Sequence, residues 1–333
     1  MRVVVHQHAA IPQGFWIFGE TPESPEGFAW TGARLTLPQD DPAWRPRASL
    51  PGPRPGRVRC VAVGGAVYAF ADGTREVLRY DVLADEWWPE TSLPESWRSF
   101  AVAELNGRIH LVGGLDSRDR AVDWHRAYHP ATGRWETRAK LGSARFDMGA
   151  AAMGGLLYVA GGLRAWLSLT SAAVEAYDPV ADTWTGRRSM RHGRANAGVA
   201  AAAGRLFVVG GRRPGIGEGR PSDKVEAYDP GTGKWKDLDD VPTPRLDAAL
   251  AELDGTLYLV GGDAGDGATG LTQAYVPGDG WVGGAELETA RTKLGLASFS
   301  GRLLAVGGTD DDVSLASVEE CRLFFDLHGF RKE

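Results

Sequence analysis

Short apolar runs recur along this chain at near-regular intervals, and each ends in a pair of glycines. Ile109–Gly114 reads IHLVGG, Leu156–Gly162 LLYVAGG, Leu206–Gly211 LFVVGG, Leu257–Gly262 LYLVGG and Leu303–Gly308 LLAVGG. Ahead of each run lies a stretch of small residues in alternation, opened by an arginine (Arg98, Arg145, Arg194, Arg245 and Arg291) and followed by a Gly turn. Behind each run comes a variable loop, then a segment ending in Tyr or its substitute, and then a Trp. Apolar runs this short, bounded by Gly and turn residues, predict strands rather than helices. The pattern therefore predicts an all-β chain of short antiparallel strands, four to a unit.

The units are near copies of one another. The hexapeptide VEAYDP occurs at Val174–Pro179 and again at Val225–Pro230. Upstream lie two worn copies, VYAFAD ending at Asp72 with Tyr80 and Trp87, and FWIFGE ending at Glu20 with Trp44. Trp44, Trp87, Trp135, Trp184, Trp235 and Trp281 follow one another at steps of 43 to 51 residues. This order of Gly-Gly, Tyr and Trp resembles the kelch repeat, whose units of about 50 residues form four-stranded blades around a central channel. The resemblance covers nearly the whole chain and implies a kelch-type β-propeller. Seven four-stranded blades are the preferred count, near 1–50, 51–95, 96–142, 143–191, 192–242, 243–288 and 289–333 of a single domain; six blades with an N-terminal extension are the alternative. The last unit has Cys321 in place of Tyr and lacks a Trp, so either its own tail or Val3–Val5 is expected to supply its outer strand. The repeated Trp and Gly-Gly then belong to scaffold, with the glycines marking a bend or close approach of backbone.

Composition narrows the partners. A net charge of −6 argues against a nucleic-acid surface. No apolar stretch is long enough to span a membrane, and the N-terminus has no signal-peptide core, so a cytoplasmic location is expected. Cys60 and Cys321, the two cysteines, are expected to be reduced core thiols. No cysteine- or histidine-based metal motif and no nucleophile elbow occurs, so neither metal nor cofactor is expected. The copper site of the galactose-oxidase relatives of kelch propellers would need a Tyr beside one of the cysteines, and neither has one near it in sequence.

Candidate sites lie where the repetition lapses. Two residues after each opening arginine the chain carries Phe100, Asp147, Asn196, Asp247 and Lys293, with Arg57 as the approximate counterpart in the worn unit. A purely structural position in a pseudo-symmetric ring would hold similar residues, so this set is read as the polar lining of one channel mouth. The arginines Arg98, Arg145, Arg194 and Arg245 either pair with acids such as Glu175 and Glu226 or reach a ligand there. Trp166, in the loop LRAWLSLTS, is a candidate contact anchor. In SRDRAVDWHRAYHP, alternation puts Asp123, His125 and His129 on one strand face, where a histidine beside a carboxylate can serve as general base.

Two functions follow. The first is a binding module that recognises a protein segment or small molecule at the mouth, as kelch propellers often do; Arg57 and Lys293 would suit an acidic peptide or a carboxylate. The second is a cofactor-independent lyase, isomerase or epimerase, or cyclase using Asp147, Asp247 or His125, for which kelch relatives that are epimerases provide a precedent. The chain has no BTB region of the kind many kelch proteins carry, so an adaptor role is not expected on it alone. Oligomeric state is not legible.

Overall fold

The computed structural model describes residues 43–164, 170–213 and 220–322, together with the backbone of the short strands Phe15–Ile17 and Ala33–Leu35. The chain divides into two compact units, Met1–Pro42 with Phe324–Glu333, and Ala43–Leu323. In the first, Phe15–Ile17 and Ala33–Leu35 pair antiparallel as a two-stranded sheet. Phe15–Ile17 is thus a strand, but among the described residues it pairs in a two-stranded sheet and not in a four-stranded blade.

The second unit contains six four-stranded antiparallel sheets. Numbered from the N-terminal side, their innermost strands are Val58–Val63, Ala101–Leu105, Gly149–Met153, Gly198–Ala202, Ala249–Leu253 and Gly295–Phe299. Each innermost strand touches the next, and the sixth touches the first, so the blades close a ring. The count is therefore six among the described residues, not the preferred seven. The sixth sheet accounts for the difference. Its outer strand is Trp44–Arg47, placed from the other end of the sequence, with Cys321 opposite Trp44 and Val318 opposite Arg47. In the other blades Tyr faces Trp in the same register, as Tyr177 faces Trp184 and Tyr228 faces Trp235. Trp44 is thus the missing tryptophan of the last blade rather than the mark of an extra one. The closing strand is neither the C-terminal tail nor Val3–Val5, which lies outside the described residues.

Packing explains the repeated residues. Trp and Tyr rings pack against each other within blades 1 to 5, for example Tyr177 on Trp184 at 5.3 Å between centroids. Second-strand aromatics meet the third-strand Tyr of the next blade, as Tyr158 meets Tyr228 at 6.3 Å. The glycine pairs carry the expected close approach. Gly161 and Gly162 have φ of 77° and 95°, and a Cβ on Gly161 would lie 2.4 Å from the Arg194 carbonyl oxygen of the following blade. The Gly162 amide donates to that same carbonyl at 2.8 Å, and Gly114 and Gly262 repeat the bond to Arg145 and Arg291. A side chain there would separate the blades, which is why the glycine is kept despite its entropic cost. Both cysteines are free thiols, and burial pushes the Cys321 thiol up to about 11.

The opening arginines turn out to be rivets. Arg145, Arg194, Arg245 and Arg291 are at most 2% exposed. Arg145 pairs with Glu175 at 3.0 Å, and Arg194 and Arg291 pair with Glu226 and Glu319 in the third strands of their own blades. Arg245 has only an amide, Gln273 Oε1 at 2.9 Å, with backbone carbonyls such as Leu271 O at 2.7 Å. Burial lowers its pKa to about 10. Restoring the carboxylate of the sibling blades with Gln273→Glu is expected to stabilise the fold by about 1–3 kcal/mol. Thr243, whose hydroxyl now accepts from the Gln273 amide, can turn to donate instead. An unchanged or lowered urea midpoint would count against this account of the arginine.

Candidate functional site

The channel mouth is set by backbone geometry before any side chain acts. Opposite the second glycine of each pair, two residues before the innermost strand, stand Ser99, Asp147, Asn196, Asp247 and Lys293 in blades 2 to 6. All five have left-handed φ, between 51° and 56°. They are joined from blade to blade by main-chain hydrogen bonds. The Asp147 amide donates to the Ser99 carbonyl, Asn196 to Asp147, Lys293 to Asp247 and Val58 to Lys293, each at 2.9 Å. At Ser99 the donor instead meets a side chain, Asp72 Oδ1 at 2.9 Å. The same register puts Arg57 of blade 1 at this level, opposite Asp72.

This register corrects the sequence reading in blade 2. Trp97, not Arg98, takes the buried arginine position, and its indole N–H donates to Gly113 O. Arg98 is partly exposed and pairs with Asp119. Phe100 is consequently one residue past the mouth position, counterpart to Met148, and is 1% exposed. It still reaches the cavity wall, with the Arg59 guanidinium 4.9 Å from its ring centre.

Inside the mouth lies an open cavity. Its polar walls are Arg57, Arg59, Asp147 and Asn196, and deeper walls such as Ala150, Val199 and Leu250 are apolar. The small residues Ala101, Gly149, Gly198, Ala249 and Gly295 form the next layer. The glycines there are required by blade packing, since a Cβ on Gly149 would lie 2.2 Å from Val199 and one on Gly198 2.5 Å from Leu250. In blade 1 this layer holds Arg59 instead, bound to Asp72 Oδ1 at 2.7 Å. Arg57 donates to Asp247 of blade 5, so this ion pair reaches past blade 6. Burial alone would lower the Arg57 pKa, but Asp247, Asp147 and Asp72 together hold it above the ordinary value. Burial raises the Asp147 pKa above the ordinary carboxylate value; Asp247 and Asp72 add to this, while Arg57 and Arg59 oppose it.

The structure brings Arg57, Asp147, Asn196 and Asp247 together at one level of the ring, with Lys293 at the equivalent backbone position. Sequence reasoning missed Arg59, Asp72 and Ser99. The first two are lapses of the same kind: Arg59 where siblings hold Gly or Ala, and Asp72 where siblings hold the second glycine.

The other expected residues fall elsewhere. Arg145, Arg194 and Arg245 are buried and engaged, so they do not serve as ligand contacts. His125 is in a third strand, two strands out from the channel, and is fully buried. Its Nε2 lies 2.9 Å from His110 Nδ1, and its ring packs 4.5 Å from Tyr177 and 5.4 Å from Trp184. Burial, then the neighbouring His110, lowers its pKa to about 3, so it is a neutral packing residue and not a general base at the mouth. Asp123 pairs with Lys140 at 3.2 Å. Trp166 lies outside the described residues. Among the described residues no group of three or more His, Cys, Asp or Glu is placed to hold a metal ion.

A closed ring of six four-stranded blades, with buried Arg–Glu pairs and Gly-Gly contacts between blades, defines a β-propeller. Its repeats are kelch motifs, matched at residues 144–191 and 193–242, and the chain is a kelch-repeat propeller. It is 31% identical over 232 residues to the mouse Kelch-like protein 35, covering 68% of this chain and 30% of that protein. It is 43% identical over 189 residues to Kelch-like protein 40a of Danio rerio, covering 56% of this chain and 30% of that one. The chain thus spans less than a third of the length of either of these curated relatives. Among solved structures, that of YjhT superposes with a TM-score of 0.73 at 15% identity, over 82% of this chain and 95% of that one, a likeness of fold alone.

Proposed function

We propose that this propeller is a recognition module whose occupant, a protein segment or a small polar ligand, engages the charged mouth of the channel. The observation that carries this reading is the contrast within the ring. The left-handed positions share one backbone geometry but hold Ser99, Asp147, Asn196, Asp247 and Lys293, while the layers that support them repeat. Variation confined to a concave, solvent-open level of an otherwise repetitive scaffold is what a binding surface requires. The test is a peptide-display selection on the propeller, followed by affinity measurements on a variant with Ser99→Gly, Asn196→Gly and Lys293→Gly. Glycine relaxes at positive φ, so the scaffold is expected to survive these changes. Selected segments should bind the variant about tenfold or more weakly, a loss of roughly 1.4 kcal/mol or greater. Equal binding with equal melting temperature would remove the mouth from consideration.

A second reading rests on Asp147. A carboxyl raised by burial and facing an open cavity is suited to proton transfer without a cofactor. Under this reading the propeller catalyses exchange of an acidic C–H proton of its substrate with solvent. The check is deuterium uptake from heavy water into a panel of small carbonyl compounds. Uptake that persists in Asp147→Asn would dispose of the idea.

A further inference from the structure

The mouth is mixed in charge, but its charges are not equally committed. Arg57 is held by Asp247, and Arg59 by Asp72 and the Phe100 face. Neither cation is free to receive an anionic ligand without giving up a carboxylate. On blades 3 and 4 the situation is reversed. Among the described residues, the Asp147 carboxyl and the Asn196 carboxamide line the cavity side by side and make no side-chain hydrogen bond. Ser99 stands next to them on blade 2 at the same left-handed position. Lys293, the remaining cation of the ring, is on the opposite blade and is not part of the cavity wall.

We propose that this arc of the mouth seats a basic group, the guanidinium of an arginine or the ammonium of a lysine, held between the Asp147 carboxylate and the Asn196 carboxamide oxygen. The proposal rests on the binding-module reading above and gives it a sign opposite to the acidic ligand expected from the sequence. Three features of the cavity favour a cation. The open acceptors are on one side, and the cations are already neutralised. Arg57 and Arg59 share this cluster with three carboxylates, Asp147, Asp247 and Asp72, so one acid is left without a matching cation and a further positive charge would balance it. Below the arc, the apolar walls Ala150, Val199 and Leu250 offer a surface for the aliphatic stem that both basic side chains carry. Charge-assisted bonds of this type are about twice as strong as neutral ones, and arginine makes them in pairs. Because a bound cation favours the ionised carboxylate, binding should release a proton and weaken as pH falls through the raised Asp147 value. The charged groups that face Asp147 are Arg57, Arg59 and Asp72 from blade 1 and Asp247 from blade 5, and Arg57 is held above its ordinary value by the acids around it.

The experiment is an NMR titration of the whole chain with three amidated, acetylated tripeptides, Gly-Arg-Gly, its citrulline analogue and Gly-Glu-Gly, at millimolar concentration. The arginine peptide is expected to shift mouth resonances saturably, and citrulline, which lacks the charge, should fail to do so. Asp147→Asn should weaken the arginine peptide about tenfold or more. This variant is expected to fold, because Asn196 already occupies the equivalent position with φ of 51° against 54° for Asp147. Asn196→Asp, placing a second carboxylate where Asp147 and Asp247 show aspartate to be tolerated, should tighten the same peptide severalfold. Binding of the glutamate peptide in preference, indifference to both substitutions, or silence from all three peptides would overturn the proposal. Display-selected segments that need the mouth but carry no basic residue would sink this inference alone. Segments indifferent to the mouth would sink the binding-module reading beneath it.

Discussion

Trp44→Ala is expected to destabilise the propeller by about 3–5 kcal/mol, the range for truncating a fully buried tryptophan. The side chain is 3% exposed, and its indole N–H reaches Ala285 O at 3.0 Å and Thr272 Oγ1 at 3.2 Å, both in blade 5. The strand that carries it is the only part of the sixth blade drawn from the N-terminal side of the ring. Loosening it bares the edge of Val318–Arg322, and an uncovered strand edge invites pairing with other chains. The variant should therefore combine a lower urea midpoint with concentration-dependent aggregation. Trp281→Ala, at the half-buried counterpart in blade 5, serves as the control and should cost less and leave the ring closed. Equal losses in the two variants, without aggregation, would mean that Trp44–Arg47 is an ordinary outer strand and not the seam.

The second large effect concerns acid. His110 and His125 face each other in the interior between blades 2 and 3, and burial first, then Arg138 and Arg108, depresses His110 to about 4. His125 Nδ1 is 3.3 Å from the Ala139 carbonyl, which can only accept, so a neutral His125 that donates there turns a bare Nε2 toward His110 Nδ1. The unfolded chain takes up protons on these rings near the ordinary value of about 6.5, whereas the folded chain refuses them until much lower pH. Stability from this pair is therefore complete above about 6.5 and drains away as pH falls toward 4, by about 3 kcal/mol for His110 alone. Sibling blades hold Tyr158 and Val174 at the two positions. A His110→Tyr, His125→Val double variant should lose the histidine share of the acid sensitivity, so that the stability difference between variant and parent grows as pH is lowered from 7 to 4. Urea midpoints across that range provide the measurement. Parallel curves would show that the pair is protonated in the fold or irrelevant to it.

Much of this architecture was readable because a repeat states its fold several times over. The Gly-Gly, Tyr and Trp order specified sheets that must stack on one another, and the glycine close approaches followed from it. The blade count was not readable, for a physical reason. Trp44 has the sequence spacing of a further repeat, but pairing between chain ends is a long-range choice that spacing does not record. The slip at Arg98 has a related cause. Aligning arginine with arginine shifts blade 2 by one residue, because strand register is fixed by distance from the glycine pair, and by that measure Trp97 fills the place. At the mouth, reading lapses in symmetry found Asp147, Asn196, Asp247 and Arg57. Carried one layer deeper, it would have found Arg59 and Asp72. His125 failed because alternation assigns a face but not its depth, and that face is packed against Tyr177.

The left-handed backbone at Ser99, Asp147, Asn196, Asp247 and Lys293 limits what this molecule can evolve to recognise. Branched and bulky apolar side chains are disfavoured in that conformation, whereas aspartate and asparagine adopt it readily. The vocabulary available at these positions is therefore polar, and new specificities would arise by shuffling charge and amide groups around five sockets rather than by building a greasy pocket. Since the amide-to-carbonyl links between blades do not depend on which side chain is present, such shuffling leaves the supporting wheel untouched.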